Sequence, residues 1–261
     1  MQKQLLAVIP GEVPWEVREL VGKAPVWDSS CSPEARVYYV ERAGGCYVKR
    51  AARGSLAREA AMARYFHELG LGAEVLLYLS GEDDWLVTAA VPGEDGVSDT
   101  HLADPQQLCD VTATALRALH EYDFSACPVQ DRTAEYLAFA EEGYRAGRFD
   151  ASLFTGGFAF SSAKEAHDVL EEGRGELQSR VLLHGDYCLP NIMLNAWRVS
   201  GFIDVGCGGV GDRHIDLFWG VWTFAFNLKT DRYRARFLDA YGRDKVNEEL
   251  LRVVAAAEVF G

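Results

Sequence analysis

Between residues 181 and 206 the chain reads Val-Leu-Leu-His-Gly-Asp-Tyr-Cys-Leu-Pro-Asn-Ile-Met-Leu-Asn-Ala-Trp-Arg-Val-Ser-Gly-Phe-Ile-Asp-Val-Gly. Three short apolar runs, Val181 to His184, Ile192 to Leu194 and Phe202 to Val205, are each long enough for a strand and too short for a helix. Gly185, Pro190 and Gly201 punctuate them. Three oxygen-bearing side chains, Asp186, Asn191 and Asp204, fall at or near the strand ends, five and thirteen residues apart. A hairpin between Asn191 and Asp204 would bring both residues to one end of a small sheet. The helical patterns on either side place that sheet inside a mostly helical region.

The 261 residues suffice for one large domain or two tightly joined ones. The first third reads as strands with one helix. Arg36 to Val40 and Cys46 to Lys49 are rich in β-branched and aromatic residues, and Gly44-Gly45 between them reads as a hairpin turn. Ser55 is expected to cap a helix from Leu56 to Leu69, with Gly70 ending it. Ala73 to Leu79 and Trp85 to Ala90 are two further strands. From residue 100 the period turns helical. Asp104-Pro105 opens a helix with the apolar stripe Leu108, Val111, Ala115 and Leu119. Asp131 caps a second helix, and Ser162 with Glu165 has capping-box spacing for a third. Two more helices follow, one ending near Gly242 and one reaching Phe260. This is an α+β chain with a β-rich first part and a larger helical second part. The expected boundary is Val91-Pro92-Gly93, giving lobes 1–91 and 92–261.

Composition narrows the function. A net charge of −13 opposes nucleic acid and anionic membranes and suits a cationic ligand. There is no run of 18 apolar residues, and the N-terminal stretch lacks a cleavage site of small residues, so a cytoplasmic protein is expected. The six cysteines form no C-x-x-C pair or zinc spacing and read as reduced thiols. The expected partner is a small molecule, with no obligate protein partner.

Phosphoryl transfer from ATP requires the residue types of the 181–206 segment. Mg2+ takes hard oxygen ligands, usually one or two from protein, and Asn191 with Asp204 can supply them. A separate carboxylate must align the attacking hydroxyl and accept its proton, and Asp186 can do that. Lys49 ends an apolar strand, and Glu59 shares a helix stripe with Met62, Phe66 and Leu69. A carboxylate on an inward face is costly unless paired, which makes Lys49 its natural partner; otherwise Glu59 lies solvated at the stripe's edge. Paired, Lys49 would meet the α- and β-phosphates. The loop Ser29 to Glu34 has hydroxyls and no glycine, so a glycine-rich phosphate loop is absent. Ser32 there either donates to a phosphate or builds a plain turn.

His-Gly-Asp-x-Cys-Leu-Pro-Asn-Ile-Met-Leu, then Val-Ser-Gly-Phe-Ile-Asp-x-Gly, then Gly211-Asp212-Arg213 and Asp216-Leu217 resemble the aminoglycoside 3′-phosphotransferases. Cys127-Pro128 and the Cys31-Ser32-Pro33 segment are also similar to that family. The resemblance implies a bilobal protein-kinase-like fold and an ATP- and Mg2+-dependent kinase of antibiotic-modifying type. By motif position it implies Asp186 as base and Asn191 and Asp204 as magnesium ligands. It implies Lys49 with Glu59 on the phosphates, the backbone of Ala89 and Val91 on adenine with Thr88 behind it, and Ile203 on a purine face.

The chain departs from the family's pattern on the substrate side. Cys207 stands where an arginine is usual after Ile-Asp-x-Gly. The stretch Phe154 to Phe160 has no acid, and Phe226 falls near a further family acid. The end of the chain offers one acid, Glu258. Glu258, Phe158 and Phe226 are therefore the expected substrate-side residues, with Glu165, Asp168 or Glu171 as alternative sources of charge. The leading expectation is phosphorylation of an aminoglycoside at its 3′-hydroxyl. The same chemistry on another small hydroxylated molecule, or a nucleotide binder without catalysis, are the alternatives.

Overall fold

The computed structural model describes residues 4–31, 33–154, 158 and 160–261, which divide into two compact units. Residues up to Gly93 form the first unit, together with Ser200–Gly206. The second comprises Glu94–Val199 and Cys207–Gly261.

The first unit is a six-stranded antiparallel sheet with helices α1 (Trp15–Val21) and α2 (Ala57–Glu68). Its strands are β1 (Gln4–Leu6), β2 (Val26–Asp28), β3 (Ala35–Val40), β4 (Cys46–Ala52), β5 (Val75–Ser80) and β6 (Asp83–Ala89), in the order β1-β2-β3-β4-β6-β5. Gly44 and Gly45 turn β3 into β4 with φ of 80° and 68°, a region that favours glycine. Alternation along β4 and β6 sorts the core. Cys46 and Val48 join Trp85 and Val87 on one face, with Val17 of α1. Ala51 and Leu86 pack on the other face, with Leu56 and Ala60 at the start of α2. Lys49, two residues before Ala51, shares that second face.

Two expectations about this unit are corrected. Ser55 does not cap α2. Its hydroxyl donates to the Ala52 carbonyl at 2.6 Å, and the Leu56 N–H goes to the fully buried Asp84 carboxylate at 2.9 Å. An acid on β6 thus serves the helix start that the local hydroxyl was expected to serve. The strand expected over 202–205 stops at Phe202. β10 (Arg198–Phe202) ends where Phe202 donates to Leu71 O at 2.7 Å, and Asp204 then takes φ of +56°. Left-handed backbone cannot continue a strand, and Asp is among the residues that tolerate it.

The second unit holds β7 (Glu94–Asp95), α3 (Asp99–Leu102), α4 (Pro105–Leu119), α5 (Arg132–Arg145), α6 (Ala163–Gly173), β8 (Val181–Leu183) and β9 (Ile192–Asn195). After β10 come β11 (Gly209–Gly211), α7 (Arg213–Leu228), α8 (Arg234–Tyr241) and α9 (Glu248–Glu258). β8 pairs with β11 and β7 with β9, both antiparallel. Asp104, Asp131 and Ser162 accept from the N–H groups of Gln107, Ala134 and Glu165, capping α4, α5 and α6 as expected. The capping box is only half formed, because Glu165 accepts from Ser161 N–H rather than Ser162. α9 is buried from Val253 to Glu258.

The end of α9 is seated by a glycine on α5. A Cβ at Gly143 would lie 2.1 Å from the Phe260 carbonyl oxygen, so the backbones meet where no side chain fits. Gly143→Ala should destabilise the protein by about 1–3 kcal/mol through overpacking, despite alanine's better helix propensity. Urea unfolding checks this; a variant as stable as wild type would mean that α9 yields freely at that contact.

Candidate active site

In the first unit, β4, α2 and the segment after β10 converge on one ammonium group. Lys49 Nζ donates to both Glu59 carboxylate oxygens at 3.0 and 2.8 Å, and to Asp204 Oδ1 at 2.8 Å. Glu59 is inward, with 16% of its side chain exposed, whereas Asp204 is 52% exposed. Burial opposes the Lys49 charge, but the Asp204 and Glu59 carboxylates outweigh it and hold the ammonium above its ordinary range. Gly206 passes close beneath: a Cβ there would lie 3.2 Å from Glu59 Cβ.

Thr88 and Ala89 end β6, paired with Tyr47 and Cys46. Ala89 N–H donates to Glu74 O at 2.9 Å and Ala90 N–H to Gly45 O at 3.1 Å. Among the described residues, no hydrogen bond engages the N–H of Val91. Ile203 is half-buried, next to Asp204. Ser32 lies outside the described residues, as do Thr155, Gly156, Gly157 and Ala159 of the expected substrate loop.

In the second unit the loop after β8 is held from beneath. Asp216, on the first turn of α7 and fully buried, accepts His184 N–H at 2.8 Å and Gly185 N–H at 2.7 Å. His120, closing α4, lies 3.2 Å from the same carboxylate through Nε2 and 2.8 Å from the Tyr241 hydroxyl through Nδ1. Burial holds His120 below its ordinary pKa, only partly offset by Asp216, so the ring is neutral. Arg213 donates to the Tyr241 hydroxyl at 3.1 Å, which leaves that hydroxyl's proton for His120 Nδ1 and the Nε2 proton for Asp216. Gly185 has φ of +86°, and a Cβ there would lie 1.9 Å from Cys207 O. No other residue fits that position.

Asp186 follows directly. Its N–H meets His184 Nδ1 at 3.2 Å. Asn191 Nδ2 donates to the Asp186 carbonyl at 3.0 Å and to its carboxylate at 2.8 Å. Both partners are acceptors, so the amide nitrogen must face them, which turns the Asn191 oxygen away as a neutral hard donor. Leu189 N–H donates to Thr223 on α7 at 3.1 Å.

Glu258 lies in the same unit, buried beside Tyr136, whose hydroxyl donates to it at 2.9 Å. The Trp219 indole also favours the charged form of Glu258. Burial pushes its carboxyl up to about 7, only partly offset by Tyr136 and Trp219, with the Asp186 charge adding to the rise. Phe226 is exposed, and Phe158 meets Phe218 with centroids 6.5 Å apart. The alternative acids are engaged elsewhere: Glu165 by Ser161 and Arg252, Asp168 by Lys164, and Glu171 by Arg174.

Sequence reasoning placed Asp216 only through a motif and assigned nothing to His120, Tyr241 or Tyr136. A histidine closing the apolar stripe of α4 was the one signal available for His120. Its partner lies 96 residues away.

A model of the phosphotransferase enzyme family matches residues 33–253. A probable aminoglycoside 3′-phosphotransferase of Lactococcus lactis subsp. lactis is 44% identical over 239 residues, 91% of either chain. Among solved structures, an aminoglycoside-3′-phosphotransferase of type VIII aligns with a TM-score of 0.72 at 25% identity, covering 99% of this chain and 94% of its own. An aminoglycoside phosphotransferase of Streptomyces rimosus, solved with ADP and streptomycin, is similar in fold, with a TM-score of 0.68 at 22% identity over 87% of this chain and 91% of its own.

Glu258 sets a pH dependence of stability. Its folded-state pKa stands above the ordinary 4.5, so between about pH 4.5 and 7 the folded protein keeps a proton that the unfolded chain has released. Stability on this account falls as pH rises through that window. Glu258→Gln should remove the slope, gaining up to about 3 kcal/mol relative to wild type between pH 5 and pH 8. Thermal melts of both proteins at the two pH values check it; parallel pH profiles would show that Glu258 ionises normally.

Proposed function

This chain belongs to the phosphotransferase enzyme family, and from that premise we propose that it moves the γ-phosphate of ATP, with Mg2+, to a hydroxyl of a small aminoglycoside-type molecule. By analogy with the Lactococcus relative's name, the acceptor is a 3′-hydroxyl. The observation that carries the reading is the preparation of Asp186. Its carboxylate is oriented by Asn191, and its loop is anchored through Asp216.

In this reading the acceptor hydroxyl donates to Asp186. Its oxygen attacks the γ-phosphorus, the bond to ADP breaks, and the proton goes to the Asp186 carboxylate. Lys49, kept cationic by its two carboxylates, is the donor for the α- and β-phosphates. The unengaged N–H of Val91 and the Ala89 carbonyl suit the adenine edge, with Thr88 behind them and Ile203 against the purine face. Gly206 admits the close approach of Glu59 that Lys49 needs.

The donor set also fits magnesium. Asp204 offers a half-exposed carboxylate and Asn191 an outward amide oxygen, both hard ligands. The two belong to different units, so their joint role rests on the motif. Bound there, the ion would neutralise phosphate charge.

The lost family acids leave open a second reading, in which the same chemistry serves a less cationic hydroxylated acceptor. A nucleotide binder without catalysis is disfavoured by the retention of Lys49, Asp186, Asn191 and Asp204 together.

Two outcomes are expected. Asp186→Asn should lower single-turnover phosphate transfer by about 10²- to 10⁴-fold while ATP still binds, because the amide keeps the shape and cannot take the proton. Transfer near the wild-type rate would remove Asp186 from that role. Asp204→Ala should weaken magnesium-dependent nucleotide binding more than Asn191→Ala, since it removes a full charge rather than a neutral oxygen. Titration of Mg2+ against bound nucleotide separates them, and equal affinities would contradict the assignment.

A further inference from the structure

The loop that carries Asp186 is gripped on two sides within the second unit. Asp216 takes the N–H groups of His184 and Gly185 on one side. Cys207 closes the other. A Cβ on Gly185 would lie 1.9 Å from the Cys207 oxygen and 2.2 Å from its carbonyl carbon, so the two backbones touch. The grip of Asp216 is backed by His120 and Tyr241. The Cys207 side needs a support of its own, because a carbonyl free to swing away would leave Gly185 room to move.

Arg132 provides one. Its Nε donates to the Cys207 oxygen at 2.9 Å, from 75 residues earlier in the chain. A hydrogen bond from a guanidinium is charge-assisted and directional. Only 17% of the Arg132 side chain is exposed. Its guanidinium lies 5.9 Å from the centroid of the Tyr136 ring, and the Tyr136 hydroxyl donates to Glu258 at 2.9 Å. Burial raises the Glu258 carboxyl, and the Arg132 charge opposes that rise, which places the arginine near both acids of the site.

Local structure does not account for this arginine. It is the first residue of α5, where the helix dipole disfavours a cation. Its carboxylate contact, Glu135, is 3.8 Å away and 49% exposed, and such a pair contributes little. Nor does the start of α5 depend on it. Asp131 accepts from Ala134 N–H and the Ser179 hydroxyl, Thr133 accepts from Asp212 N–H, and Val210 N–H donates to Val129 O.

We propose that Arg132 is a positioning residue for phosphate transfer: it holds the Cys207 carbonyl against Gly185 and so fixes the backbone from which Asp186 reaches the acceptor hydroxyl. The inference rests on the phosphotransferase reading. A small displacement of a reacting group costs rate more than binding, so the effect belongs in kcat.

The test follows Arg132→Met and Arg132→Lys by two readouts. One is steady-state transfer from ATP and Mg2+ to kanamycin. The other is hydrogen–deuterium exchange of the peptides covering 183–188 and 205–209, which reports loosening without the reaction. Arg132→Met should lower kcat by about tenfold or more, change both KM values by less than about threefold, and speed exchange in both peptides. Arg132→Lys keeps a cation that can reach the carbonyl and should restore most of kcat. Wild-type kcat in Arg132→Met overturns the proposal whatever the exchange shows. A fall in kcat with unchanged exchange overturns it too, since the arginine would then act by another route. Should Arg132→Met fail to fold, Arg132→Gln takes its place: equal kcat in the Gln and Lys variants overturns the proposal, and a slower Gln variant with faster exchange supports it. If wild type transfers no phosphate to kanamycin or other aminoglycosides, and Arg132→Met still loosens both peptides, the hold on the loop stands and the phosphotransferase reading falls.

Discussion

Asp216 is a fully buried carboxylate that ties several elements of the second unit into one arrangement. Two backbone N–H groups, from His184 and Gly185, and the His120 imidazole satisfy its oxygens. Through His120 it reaches Tyr241 at the end of α8, and through Tyr241 it reaches Arg213 at the start of its own helix. A buried charge of this kind is tolerable only while its partners are in place, and losing one costs several kcal/mol. The position of Asp186 is thus inherited from hydrogen bonds to the two residues before it. Gly185 makes this possible, because any Cβ would collide with the Cys207 carbonyl.

The first unit solves a different problem with the same economy of parts. Alternation along β4 turns Lys49 toward α2, and Glu59 stands in the first turn of that helix. Asp204 arrives from far along the sequence on a left-handed residue, adding a second carboxylate to the same ammonium. Two acids on one lysine leave an excess of negative charge. That excess favours a cation, whether the lysine itself or a divalent ion taking over part of Asp204.

Net charge is a poor guide to the acceptor side. The chain carries −13, yet the cations over its aromatic rings differ locally: Lys229 lies over Phe226, whereas Arg234 over Phe158 and Arg252 over Phe160 are paired with Glu248 and Glu165. Charges farther apart than about 8–10 Å are screened in physiological salt, so the groups close to the acceptor count for more than the total. Glu258 adds to the difference. Burial holds its proton near neutrality, so it acts as a hydrogen-bonding group as much as a fixed charge.

What the sequence by itself determined was local. The caps at Asp104, Asp131 and Ser162, the Gly44-Gly45 turn, the alternation that turns Lys49 inward and the order Asp186, Asn191, Asp204 all depend on neighbours within a few residues. Their physics is complete in the chain. The antiparallel-sheet and helical parts were legible for the same reason, because periods of two and 3.6 are written in the residues. Tertiary structure decided the rest. Asp84 displaced Ser55 at the start of α2, Asp204 ended its strand early, His120 found Asp216, and Glu258 was drawn under Tyr136 and Trp219. Each of these joins groups far apart in sequence. A buried polar atom accepts whichever donor packing delivers, and the chain's local pattern does not specify which one that will be.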